Sequence, residues 1–123
     1  MVLQLAYSIN VRKMTSMSNK IIVFCTVGSL EEGNRIGRTL VEEHLAACVS
    51  LLPPLRSIYR WEGVVEDAEE ILLVIKSRKG KWEQLRDRVL QLHSYEVPEL
   101  IALPIEAGHS AYLEWIDAST HGV

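Results

Sequence analysis

The chain has 123 residues, 48% hydrophobic and 24% charged, enough for one domain with a core and too few for two. Thirteen basic and sixteen acidic side chains give a formal net charge of −3, and residues 1–20 hold three of the basic ones and no acid. The remainder is therefore distinctly acidic and lacks the basic surface that nucleic acid requires.

Cys25 and Cys48 have no CxxC spacing, which argues against a disulfide scaffold and a zinc ribbon and points to a reducing, cytoplasmic compartment. No apolar run approaches the roughly 20 residues that span a bilayer. Met1 to Ile9 is mildly apolar and is followed by Arg12 and Lys13. A secretory signal has the opposite order of charge and apolar run, so none is expected. Met14 and Met17 are alternative starts. Residues 1–18 are read as an extension outside the fold and residues 19–123 as a single domain.

In chain order, Ile21 to Thr26 is a short apolar run with the character of a first strand. Gly28 ends it, and Ser29 with Glu32 three residues on forms a capping box for a helix carrying Ile36, Leu40, Val41 and Leu45. Gly33 and Gly37 lie four apart on one stripe of that helix. Each costs about 1 kcal/mol against alanine, so close approach of helix to sheet is the expected reason for them.

Cys48 to Trp61 reads as one long second strand, bent or on an edge at Pro53-Pro54 because prolines cannot donate to a ladder. Trp61-Glu62-Gly63 reads as a turn. Val64-Val65 resumes the extended chain, and Glu69 to Lys76 is a third strand, so that the two form a long hairpin. A second helix is expected from about Ser77, with Trp82, Leu85, Val89 and Leu92 on one face, broken by Val97-Pro98. Leu100 to Ile105 is a fourth strand, and Ser110 to Ser119 a short terminal helix.

The order β-α-β-β-α-β is the split-βαβ, ferredoxin-like pattern of an α+β fold, with a terminal helix added. Both main helices then cover one face of a four-stranded sheet. The strands are nearly continuous apolar runs, so the second face also needs a cover. At about 3.3 Å per residue, the 14 residues from Cys48 to Trp61 span on the order of 45 Å, against roughly 24 Å for a helix of about 16 residues. The hairpin projects beyond its helices, and its free edge invites another chain. A self-associating protein is expected.

Four segments, in order and spacing, resemble the CutA family of divalent-cation tolerance proteins. They are Val23-Phe24-Cys25-Thr26 before an acidic helix start, Leu45-Ala46-Ala47-Cys48-Val49, Tyr59-Arg60-Trp61-Glu62-Gly63, and Tyr95-Glu96-Val97-Pro98-Glu99-Leu100 leading into Leu103-Pro104. Lys76 and Tyr112-Leu113-Glu114-Trp115 also fit. The resemblance covers about residues 20–119. It implies a ferredoxin-like subunit in a tight homotrimer whose hairpins pair across subunits, and a role in tolerance of divalent metals, chiefly copper. In animals it implies an association with anchoring acetylcholinesterase. No reaction attaches securely to the family, and the sequence itself offers no serine-histidine-acid spacing, no phosphate loop and no HExxH.

Thiolate and imidazole suit copper, which makes Cys25, Cys48, His44 and His93 the candidates. His44 and Cys48 are four apart, though Cys48 falls where the helix should already have become strand. The resemblance implies Cys25, Cys48 and His93 as metal positions, while Leu92 stands where some relatives pair a second histidine with His93. Against this, the cysteines also read as small buried hydrophobes and His93 as a helix-end residue. No cofactor is expected to be obligatory; copper(II) or another divalent cation is the candidate ligand.

A polar-aromatic set, Tyr59, Trp61, Lys76, Tyr95, Glu96 and Glu99, is expected near strand ends and a loop, lining a cleft between subunits or anchoring the interface. The functional expectation is a trimeric metal-tolerance protein without enzymatic activity. The alternatives are a trimeric sensor, similar to PII signalling proteins, that holds an anionic small molecule through Lys76 and the aromatics, and a structural adaptor.

Overall fold

The computed structural model describes residues 19–121; the expected extension at 1–18 lies outside them. The elements are β1 Lys20–Val27, α1 Leu30–Glu42, β2 Cys48–Leu51, β3 Leu55–Trp61, β4 Val64–Arg78, α2 Trp82–Leu92, β5 Ile101–Pro104 and α3 Ser110–Ser119. The strands form one antiparallel sheet in the order β2-β4-β1-β5, with β3 also paired to β4. This is the expected ferredoxin-like order.

Alternation along β1 decides the two faces. Ile21, Val23, Cys25 and Val27 are buried on one side, where they meet Ile71, Leu73 and Ile75 of β4 and the helix residues Ile36, Leu40, Leu85 and Val89. Both main helices thus cover one face. Ser29 caps α1, its Oγ accepting from the Glu32 amide at 3.1 Å. A Cβ on Gly33 would lie 3.1 Å from Leu51 Cδ2 and 3.2 Å from Val27 Cγ2, so the helix approaches the sheet as closely as the paired glycines suggest. His44, at φ 60°, ends α1 in the left-handed region, and the amides of Leu45 and Ala46 both donate to the Leu40 carbonyl.

The second face is covered only in part. α3 packs against β4 and β1, held by Arg78 Nε donating to Thr120 Oγ1 at 3.0 Å and by Lys20 Nζ, 3.6 Å from Asp117. On the same face, Ile101 and Leu103 of β5 pair with Phe24 and Ile22 and are 51% and 46% exposed. Beyond the helices, β3 and the first half of β4 form a two-stranded ribbon on which Ile58, Trp61, Val64 and Val65 are exposed.

Three expectations change in detail. The second strand is two strands, because Pro53-Pro54 interrupt the ladder between Leu51 and Leu55. The second helix begins at Trp82, not near Ser77. Ser77 is a buried strand residue paired with Ile21, its Oγ bonded to the Leu45 carbonyl at 2.6 Å, and a short 3-10 turn over Lys79–Lys81 makes the connection. That helix ends at Leu92, with His93 already extended, five residues before Pro98.

The proline break also shifts the register. Leu51 faces Leu73 and Leu55 faces Glu70, so three residues of one strand oppose two of the other. This is a bulge by count, and one extra residue exchanges the faces. Val49 and Leu51 lie on the helix side of β4, whereas Leu55, Ser57, Tyr59 and Trp61 lie on the side of Cys48 and Ser50.

Candidate functional site

The bulge sets up the site. Glu62 and Gly63, at φ 50° and 81°, make a two-residue turn with both central residues left-handed, the type that matches strand twist. That turn pairs Trp61 with Val64, Tyr59 with Glu66, Ser57 with Ala68 and Leu55 with Glu70. Tyr59, Trp61, Glu66 and Glu70 consequently share one face of the ribbon, and the small Ser57–Ala68 pair between them leaves room.

The opposite wall is the loop after α2. His93 is buried and not the surface helix-end residue that its position at the end of α2 suggests: its Nε2 donates to the Thr26 carbonyl at 2.8 Å, and its Nδ1 accepts from the Tyr95 amide at 3.0 Å. These bonds assign the proton to Nε2 and engage both ring nitrogens. The buried Glu32 carboxylate accepts from the Ser94 amide at 2.7 Å, from Ser94 Oγ at 3.0 Å and from the Gly28 amide at 3.4 Å. Burial acts to raise the pKa of Glu32, but the two Ser94 hydrogen bonds, His93 and the Gly28 amide together outweigh it, and the group lies below its ordinary value. The Ser29 half of the expected capping box forms, but the Glu32 carboxylate turns to Gly28 and Ser94 and so ties the loop to the start of α1. Tyr95 closes the wall, its hydroxyl donating to Glu70 at 2.9 Å. Burial, then that hydrogen bond and the Glu70 charge, push the phenol up to about 12.

Between ribbon and loop lies a groove of about 790 Å³. Tyr59, Trp61 and Ile58 line it from β3, Glu66 and Glu70 from β4, and residues 95–99 from the loop, with Thr26 at the base. Of the expected polar-aromatic set, Tyr59, Trp61, Tyr95, Glu96 and Glu99 meet here, within a single chain. Lys76 does not join them. It sits opposite Cys48 near the other end of β4, and its Nζ donates to Ser50 Oγ at 2.9 Å. Glu66 and Glu70 belong to the site although sequence reasoning passed over them; counting back from the two-residue turn would have paired Tyr59 with Glu66. Four carboxylates line the groove, and among the described residues no lysine, arginine or histidine does.

The metal candidates are dispersed. Cys25 faces the helices, is wholly buried, and burial, with smaller effects of Glu99, Glu32 and Glu70, pushes its thiol up to about 12. A proton held that firmly leaves little thiolate for a metal. Cys48 is half-buried on the opposite face of the sheet, 3.8 Å from Ser50 Oγ. His44 lies at the end of α1 with Nδ1 3.3 Å from the Ser119 carbonyl, and not on a helical face with Cys48. Among the described residues no three His, Cys, Asp or Glu side chains are grouped to hold one ion. The residues do not fit a thiolate-imidazole copper centre built from one chain.

A family profile described as CutA1 divalent ion tolerance protein matches residues 21–119. The chain belongs to that family. The divalent-cation tolerance protein CutA of Thermus thermophilus is 46% identical over 99 residues, 80% of this chain and 96% of that protein. The chloroplastic protein CutA of Arabidopsis thaliana is 42% identical over 113 residues; the match takes in 92% of this chain but only 62% of that longer protein. Among solved structures, CutA from Xylella fastidiosa superposes with a TM-score of 0.82 at 39% identity, covering 84% of this chain and 99% of that one. The Thermus thermophilus structure gives 0.81 at 46% identity, covering 82% and 98%. The two solved relatives carry the fold found here, and divalent-cation tolerance is the role printed in the family's description and in the name of the Thermus thermophilus protein. No helix among the described residues is long and apolar enough to cross a membrane.

Proposed function

We propose that this chain acts as a cytoplasmic homotrimer in divalent-cation tolerance, binding copper(II) or another divalent cation weakly, as an assembly and binding protein without a catalytic step. The observation that carries the assembly is the uncovered apolar surface. Ile101 and Leu103 continue the half-buried Ile22 and Phe24 across the second face, and the ribbon presents Ile58, Val64 and Val65 to solvent. α3 reaches only one end of that face. A second copy is the natural cover, and the outer edge of β3, which among the described residues pairs only with β4, can receive it. Weak binding follows from the dispersal of the sulfur and imidazole candidates and from carboxylates that do not converge. The absence of basic side chains from the groove counts against the anionic-ligand alternative.

Native mass spectrometry of the metal-free protein, then with graded copper(II) and zinc(II), tests this reading. A trimer with gradual, unsaturated uptake is the expected result. A monomer at micromolar concentration refutes the assembly. Saturable uptake of one copper per chain that Cys25→Ser/Cys48→Ser abolishes refutes weak binding.

A further inference from the structure

Apart from Ile58, which the proposed assembly also uses, the groove between the ribbon and the 93–100 loop is lined by side chains to which that reading gives no role. Its volume of about 790 Å³ lies in the range of small-molecule sites. Its walls are fixed: one is a hydrogen-bonded strand pair, and the other is tied down by Ser94 to Glu32 and by Tyr95 to Glu70. Charge and ring alternate around it. Glu66 stands across from Tyr59, Glu70 holds the Tyr95 hydroxyl, Glu96 and Glu99 follow on the loop, and Trp61 closes the ribbon side.

The ligand class follows by elimination. An anion meets four carboxylates and no cation. A compact divalent ion needs several oxygens converging on one point, and the carboxylates are not grouped that way. A neutral ligand leaves the charge unanswered. An extended organic cation matches both features: ammonium groups find separate carboxylates and aromatic faces, and the methylenes between them lie along Val97, Pro98 and the rings. We propose that this groove binds an aliphatic diamine or polyamine.

Isothermal titration of the intact protein with spermidine tests the proposal, at low and at physiological salt, with 1,8-octanediol as the neutral control. Saturable binding of one spermidine per chain is expected, with none of the diol. Glu96→Gln/Glu99→Gln, both exposed, should weaken it at least tenfold. Trp61→Leu should weaken it several-fold, and the glutamate pair keeps the test valid if the tryptophan change disturbs assembly. No spermidine binding overturns the proposal, and so does binding that magnesium at equal charge displaces fully or that Trp61→Leu and the glutamate pair leave unchanged, since that is diffuse attraction. The readout is separate from the assembly reading: a trimer that ignores spermidine defeats only this inference, and a monomer that binds it defeats only the assembly.

Discussion

Replacing Glu32 is the sharpest test of how the groove is held. The side chain is 6% exposed, and its carboxylate accepts from the Ser94 amide, the Ser94 hydroxyl and the Gly28 amide. Charge-assisted bonds of this kind are worth about 1.5–3 kcal/mol each. The 3.4 Å bond to Gly28 is long, and Ser94 is exposed enough for water to reach its freed donors. Glu32→Ala should therefore cost about 2–3 kcal/mol, near the low end for two bonds. For a domain of this size that lowers the melting temperature by roughly 8–12 °C. Glu32→Gln keeps one acceptor oxygen and should cost about half as much. The pH dependence has a definite sign. The folded-state pKa of Glu32 is lowered, so its contribution is present above the ordinary value of 4.5 and is lost as the pH falls through the folded value. The gap between wild type and Glu32→Gln should be constant from about pH 6 upward and close below 4.5. Thermal unfolding at fixed protein concentration across this range measures it, with amide exchange at Ser94 and Tyr95 as the local readout. A cost below 0.5 kcal/mol, or a gap unchanged at pH 3, would refute the tether.

Two further outcomes are expected. Cys25, wholly buried with its thiol pushed up to about 12, should resist iodoacetamide at pH 8 until the protein unfolds, as read by peptide mass spectrometry; labelling of Cys25 in the native protein refutes its placement. Gly33→Ala should destabilise by about 1–2 kcal/mol despite better helix propensity, because the new methyl lies 3.1–3.3 Å from Leu51, Val27 and Leu73; a more stable variant in urea unfolding refutes the close approach.

How much of this was legible in the sequence varies by element. β1, the Ser29 cap and the terminal α3 follow from apolar runs and local signals, and the structure places them within a residue or two of expectation; the glycine-bearing α1 starts as expected but ends at Glu42, so Leu45 lies beyond it, past the left-handed His44. The start of α2 was misplaced because Ser77 is a good cap by type; its hydroxyl is instead consumed by the Leu45 carbonyl, a contact 32 residues away that no local pattern carries. The end of α2 was set too late because the stop signal at Val97-Pro98 belongs to the loop, and His93 leaves the helix to bond the Thr26 carbonyl. That the metal candidates lie apart within one chain was hidden for a different reason. Strands apolar on both faces hide which side a cysteine takes, and only the observed pairing puts Cys25 among the helices and Cys48 on the opposite face.

The decisive hidden feature is a count at the prolines. In an unbroken strand, Cys48 and Tyr59 are an odd number of residues apart and point to opposite faces. Pro53-Pro54 announce that the ladder stops, but they do not say how many residues pass before it resumes. The structure supplies three against two, and the one extra residue turns Tyr59 and Trp61 away from the helix side of β4. Everything on the ribbon wall depends on this. With the register unshifted, Tyr59 and Trp61 would lie on the other face of the ribbon from the Tyr95 hydroxyl, which reaches Glu70, and the groove would keep its carboxylates without the two rings of β3. The two-residue turn at Glu62-Gly63 then carries the same parity back along β4, placing Glu66 opposite Tyr59 and Glu70 on the same face, opposite Leu55. A bulge of one residue and a turn of two thus decide the chemistry of a site whose side chains are all visible in the sequence.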